Sequence, residues 1–183
     1  MATLLTHAFV GATLADLKTD RLRKRWWLVA VLCSMLPDVD VIGFAFGIRY
    51  GDLWGHRGMT HSLLFAAAVS IVAAPLIAER GKMITAALWL FAITASHGVL
   101  DAMTNGGLGV AFFSPFDRHR YFFPWRPIGV SPIGTHGLFS SRMAHILVTE
   151  FLWVWIPAAV VWVVIRGMQR ARPRKLSYWQ PSP

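Results

Sequence analysis

Four apolar runs constrain what this chain can fold into. "WWLVAVLCSML" at 26–36 stops at Pro37 and resumes as "VIGFAFGI" after "PDVD". "SLLFAAAVSIVAAPLIA" fills 62–78, "MITAALWLFAITASHGVLDAM" fills 83–103, and a very apolar run fills 146–166. Runs of about 17–25 residues suit helices that cross a hydrocarbon layer about 30 Å thick. The second run is close to that minimum. Composition agrees: 55% of residues are hydrophobic and 15% are charged, against about a quarter charged in soluble domains. Mean hydropathy is +0.49.

The expected fold is all-α, a polytopic membrane helical bundle with about four membrane segments, one broken at Pro37. A weakly apolar helix over 3–17, carrying His7, comes first; it has no positive n-region and does not read as a cleaved signal. Residues 104–145 are rich in Gly, Pro and aromatics and read as one long loop. No repeat marks a second unit, so 1–170 is expected to be one domain and 171–183 a basic, flexible tail.

The net charge of +9 raises nucleic acid as a partner. The basic residues, however, stand in short clusters between apolar runs, the pattern of juxtamembrane anchors. No nucleic acid is expected; the expected partners are membrane lipids. One side carries Lys18, Arg21, Arg23, Lys24, Arg25, Arg80, Lys82, Arg166, Arg170, Arg172, Arg174 and Lys175. The other carries Arg49, Arg57, Arg118, Arg120, Arg126 and Arg142. The positive-inside rule makes the first side, with the C-terminus, cytoplasmic and the loop extracytoplasmic. The chain is thus expected to cross its membrane several times, with the loop facing the periplasm or the cell exterior.

With that orientation, the distance of each polar residue from the basic side becomes informative. His7 is 11 positions before Lys18, Asp38 and Asp40 are 13 and 15 after Arg25, His97 and Asp101 are 15 and 19 after Lys82, and Glu150 is 16 before Arg166. At ~1.5 Å per residue all six lie roughly 16–28 Å above the basic face. His56 and His61, before the second run, join them. Ionisable groups at membrane depth are costly unless paired or metal-bound, which makes them functional candidates. His and Asp without Cys suit Zn²⁺, Mn²⁺ or Fe²⁺. The single cysteine, Cys33, reads as packing.

His97 and Asp101, spaced i, i+4, share a helix face. Asp38 and Asp40 flank one residue after a helix-stopping proline; both serve one site, or one ligates while the other orients. "GHRGMTHS" at 55–62 offers His56 and His61 on a turn that Gly55 and Gly58 permit. Thr60 or Ser62 is placed to cap the next helix. Arg57 either grips a phosphate or carboxylate through its planar fork or snorkels at the interface. Glu150 either reaches the site or favours a helix dipole. His119, His136 and His145 read as surface or loop residues. Tyr121, Phe123 and Trp125 suit the headgroup level.

His7, "LPDVD", "GHRGMTHS", "SHGVLDAMTNGG" and "SPFDRHRYFFPWRPI", in that order over most of the chain, resemble the YdjM-like family of bacterial inner-membrane proteins. That family is regarded as LexA-regulated, metal-dependent hydrolases and as distantly similar to zinc-dependent phospholipase C and the P1-type nucleases. The resemblance implies phosphoester hydrolysis and a metal held by His and Asp. His97 and Asp101 match the HxxxD spacing of the phospholipase group. His145 and Glu150 are five apart and do not reproduce its HxxxE, which favours one or two metal ions over three.

The expected metal ligands are His7, Asp38, Asp40, His56, His61, His97 and Asp101. Seven donors exceed one open zinc site, which takes three, and suit one or two Zn²⁺, with Mn²⁺ or Fe²⁺ as alternatives. The expected mechanism is attack of metal-activated water on a phosphoester or lipid-linked ester at the outer interface. Asp40 or Glu150 accepts the proton and Arg57 holds the anion. A metal or proton transporter is one alternative, although polar groups do not continue through "IPAAVVWVVI". A structural protein stapled by its metal is another.

Overall fold

The computed structural model describes residues 1–18, 24–133 and 139–171. Among them the protein is helical, with isolated bridges but no strand. Helix α1 (Leu4–Lys18) and α2 (Lys24–Met35) form the first pair. Beyond Met35 the chain tightens into a 3-10 helix, Leu36–Phe46, with Pro37 in its first turn. A further 3-10 turn, Met59–His61, leads into α3 (Leu63–Ala73), and α4 is Met83–Ala102. Helix α5 (Ser141–Glu150) runs through a π-helical turn, Phe151–Trp155, into α6 (Ile156–Ala171).

Helix α4 is the central post, packed by α1, α2 and α3, and α6 lies along α1. Below the site the core is apolar and built largely of small residues: Ala15, Ala30, Ala73, Ala74 and Ala86, filled by Trp26, Leu90 and Ile93. Small side chains let helices approach closely where lipid supplies no hydrophobic drive between them. The start of α1, the end of α2, the entry to α3 and the end of α4 meet at one end of the bundle, through contacts of His7, Asp38 and His61 with His97 and Asp101.

Among the described residues, three helices are long and apolar enough to cross a membrane: Lys24–Phe46, Met83–Ala102 and Ser141–Ala171. The expected fourth, at 62–78, is shorter. Helix α3 with its closing turn covers only Leu63–Leu76, about 21 Å at ~1.5 Å per residue. Pro75 and the turn before α4 end it early. The last span starts at Ser141, where Ser140 caps α5 by accepting from Met143 N at 3.2 Å. His145 therefore lies on an exposed helical face, not in the loop. Val160, Val161, Val163 and Val164 of α6 all face outward, as a lipid-facing helix requires.

The loop between α4 and α5 folds back over the end of α4. Asn105 N donates to Ile128 O at 2.9 Å and Phe123 N to Ala102 O at 3.0 Å, while Val110 and Tyr121 exchange both backbone bonds at 2.9 Å. Arg21, Arg23, His136 and the basic tail with Arg172, Arg174 and Lys175 lie outside the described residues.

Candidate metal centre

The break at Pro37 builds the first wall of the site. Proline has no N–H to offer the carbonyl three residues back in a 3-10 turn. The carbonyl of Ser34 instead accepts His97 Nδ1 at 2.8 Å. That bond fixes the tautomer of His97 and turns its Nε2 lone pair inward. The 3-10 helix then carries Asp38 and Asp40, both buried, to the same place.

The "GHRGMTHS" turn builds the opposite wall. Its left-handed residue is Arg57, with φ 63, rather than either glycine. The glycines are needed for space: a Cβ on Gly58 would stand against the carbonyl oxygens of Leu53 and Gly55. On α4, a Cβ on Gly98 would lie 3.1 Å from the His61 carbonyl, so this glycine lets the turn rest directly on the helix. Ser62 caps α3, accepting from Phe65 N at 3.1 Å. Thr60 does not cap; its hydroxyl donates to Asp40 Oδ2 at 2.6 Å.

Four side chains from three segments converge: Asp38, His61, and His97 with Asp101 on α4, all buried. His97 Nε2 lies 3.1 Å from His61 Nε2 and 3.3 Å from Asp38 Oδ1. His61 Nε2 lies 3.6 Å from both Asp38 Oδ1 and Asp101 Oδ2. Bonds of ~2.0–2.1 Å to a tetrahedral zinc set ligand–ligand edges of about 3.3–3.4 Å. The observed spacings bracket that value. Two facing imidazole nitrogens and two carboxylates are a donor set for a divalent cation. Both oxygens of Asp38 are buried without a hydrogen-bond partner among the described residues, which is expensive unless a cation meets them.

Asp40 belongs to a second group of donors, with His56 and His61, whose ligand atoms lie within 4.8 Å of one another. Its Oδ1 receives His56 Nδ1 at 2.8 Å, and its Oδ2 lies 3.2 Å from His61 Nδ1. A carboxylate on the far nitrogen of a ligating imidazole orients the ring and raises its basicity. Burial opposes charge on His61, but Asp101, Asp38 and Asp40 around it outweigh that and raise it to about 10. Burial dominates at His56 and lowers it, against the pull of Asp40.

His7 stacks on His97 with ring centroids 3.6 Å apart, and its Nε2 is 3.5 Å from Asp101 Oδ1. Neither His7 nitrogen has a hydrogen-bond partner among the described residues, and neither does His56 Nε2. All seven sequence-expected donors therefore gather at one end of the bundle.

Arg57 and Glu150 both meet partners within the chain itself. Arg57 is fully buried and does not snorkel. Its Nε donates to Asp101 Oδ2 at 3.0 Å, Nη1 to Gly106 O at 2.9 Å and Nη2 to the Thr104 hydroxyl at 2.8 Å. The carboxylate it grips belongs to the chain itself, so Arg57 positions Asp101. Glu150 stands at the N-terminus of α1, accepting Thr3 N and the Thr3 hydroxyl at 2.5 Å and the Thr6 hydroxyl at 2.8 Å. It serves the dipole of α1, not of its own helix. The preceding N–H, of Ala2, goes to Asp101 Oδ1 at 2.7 Å.

Sequence reasoning missed Thr104 and the Ser34 carbonyl and read Thr60 only as a cap; all three act through contacts between separate segments. It also missed Arg120, which donates to the His56 carbonyl at 2.9 Å. The "DRHR" stretch was the one available signal for that residue.

A family model described as YdjM inner membrane protein matches residues 1–173. Inner membrane protein YbcI of Escherichia coli (strain K12) is 34% identical over 164 residues, covering 88% of this chain and 95% of that protein. No solved structure matches the chain.

Proposed function

The chain belongs to the YdjM family of inner membrane proteins, and from that premise we propose that it is a membrane-embedded, metal-dependent hydrolase. The reading takes a phosphoester or a lipid-linked ester as substrate, one or two divalent cations, zinc foremost, as cofactor, and the extracytoplasmic face of the inner membrane as the location. The observation that carries it is the set of four buried donors, Asp38, His61, His97 and Asp101, whose ligand atoms lie within 4.8 Å of one another.

In this reading those four residues hold the cation. Bound there, it supplies Lewis acidity, polarising an ester oxygen and acidifying water. Asp40 keeps the His61 and His56 rings in register, and Arg57 keeps Asp101 in place. His7, whose ring nitrogens have no hydrogen-bond partner among the described residues, is positioned to take a proton beside the cluster. That role passes to it because Asp40 and Glu150 already accept several hydrogen bonds each.

A second reading, a metal that only staples the bundle, is favoured by the burial: none of the four residues is more than 5% exposed, and Asp101 and His97 are at 0%. A transporter has less support, because Ala30, Cys33, Leu90 and Ile93 close the bundle below the cluster with apolar groups.

The test is purification in detergent, measurement of bound metal, and assay on a panel of phosphoesters and phospholipids, with His61→Ala and Asp101→Ala as controls. The expected result is stoichiometric metal and turnover in the wild type, both lost in the variants. Absence of stoichiometric metal sinks the hydrolase reading. Metal without turnover on the whole panel favours the staple.

A further inference from the structure

Outside the cluster, on the far side of the "GHRGMTHS" turn, lies a cavity of about 180 Å³ lined by Asp52, Gly58, Ala111, Ser114, Arg118 and Arg120 among others. Its chemistry is unlike that of the two apolar grooves on the flanks of α3, whose linings are almost wholly hydrocarbon. Ser114 is 1% exposed, and its hydroxyl is buried with no hydrogen-bond partner among the described residues. A buried hydroxyl left unpaired is costly, so the cavity it lines is where a partner is expected.

The charge of the cavity is positive. Arg118 is exposed and has neither a hydrogen bond nor an ion pair among the described residues. Arg120 is held by the carbonyls of Tyr50, Asp52 and His56 at 2.9–3.3 Å. Those carbonyls fix its guanidinium, which makes no ion pair with a carboxylate among the described residues. The one carboxylate in the lining, Asp52, is already taken by Arg49, from its backbone N–H at 2.8 Å and its side chain at 3.4 Å. Phe113 and Phe116, which flank Ser114, are 52% and 86% exposed. Exposed aromatic rings on the outer loops of a membrane protein sit at headgroup level.

We propose that Ser114, Arg118 and Arg120 form a binding site for a phosphate group, presented by a lipid headgroup or as free phosphate. The hydroxyl donates to one oxygen, the Arg118 fork takes two more, and Arg120 supplies fixed positive charge. The site extends the hydrolase reading by naming the anionic group its substrate carries, and to that extent rests on it. Binding itself needs no cation at the cluster.

The test uses the full chain in a phosphate-free maltoside detergent, treated with chelator so that the cluster holds no metal. Inorganic phosphate and short-chain phosphatidic acid are titrated by calorimetry, with short-chain diacylglycerol as the probe lacking phosphate. Ser114→Ala and Arg118→Gln are each expected to weaken phosphate binding about tenfold. Arg118→Gln changes an exposed side chain and keeps the test open if Ser114→Ala folds poorly. Variant-sensitive binding of both phosphate probes supports the site with phosphate as sufficient ligand. Variant-sensitive binding of phosphatidic acid alone supports it with the headgroup as source. The proposal is overturned if neither probe binds, if diacylglycerol binds equally, or if binding ignores Arg118→Gln. It is also overturned if phosphate binds only with metal restored and is lost in His61→Ala, since the anion then belongs to the cluster. Success here together with failure of the metal assay would leave the phosphate site standing without the hydrolase.

Discussion

Arg57 is a buried guanidinium in a left-handed backbone conformation, two features that each cost free energy. Both are held by its bonds to Asp101, Thr104 and Gly106. Removing one partner of a buried ion pair costs about 3–5 kcal/mol. Arg57→Ala is therefore expected to lower the detergent melting temperature sharply and to weaken metal binding, because Asp101 loses its support. Arg57→Lys restores the charge but not the three-way fork and should recover only part of either property. Unchanged metal affinity in both variants would remove Arg57 from the support of the site. Glu150 gives the contrasting case. Glu150→Ala leaves Thr3 and Thr6 without their acceptor and is expected to cost about 2–3 kcal/mol while metal content holds. Loss of stoichiometric metal in that variant would return Glu150 to the cluster.

At the scale of elements, the site depends on two departures from regular helix. The 3-10 helix after Pro37 places Asp38 and Asp40 on the cluster and frees the Ser34 carbonyl for His97. The turn at 55–62 folds so tightly that Gly58 has no room for a methyl group beside Leu53 O and Gly55 O. Gly58→Ala must push these carbonyls apart, and His56 and His61 move with them. The expected outcome is protein that still inserts, since α2, α4 and the last span are untouched, but whose metal stoichiometry falls well below that of the wild type. Wild-type metal content in this variant would show that the turn yields without moving its histidines. The sequence made the proline break legible, because one residue type causes it. It pointed to a special turn through its glycines, yet placed the conformational demand on them. The demand falls on Arg57, and the glycines supply clearance that depends on carbonyls elsewhere in the loop.

Across the whole molecule, one group of basic residues marks the end opposite the cluster. Lys18, Lys24, Arg25, Arg80, Lys82, Arg166 and Arg170 lie at the end away from the cluster, where Arg166 also pairs with Asp16 at 2.8 Å. The positive-inside rule then predicts a cytoplasmic C-terminus and an extracytoplasmic cluster. A C-terminal alkaline phosphatase fusion is expected to be inactive and a fluorescent protein fusion to be bright. The reverse pattern would invert the orientation and move the site to the cytoplasmic face. Helix α3, at about 21 Å by ~1.5 Å per residue, is too short to span by itself and sits against α4. Its shortness escaped the hydropathy reading because Ile77 and Ala78 continue the apolar run beyond the point where the helix ends.

The sequence by itself determined the helical membrane architecture, the order of the apolar runs, and the seven His and Asp donors at one level. These follow from local quantities: hydropathy, a proline, and ~1.5 Å of rise per residue. Only the tertiary structure decided the roles. It separated Asp38, whose oxygens have no hydrogen-bond partner among the described residues, from Asp40, which braces two histidines. It turned Arg57 inward and sent Glu150 to another helix. Such assignments depend on which atoms of distant segments come within about 3 Å of each other, the range of a hydrogen bond. One residue's spacing along the chain fixes its height in the bundle but not its partner there.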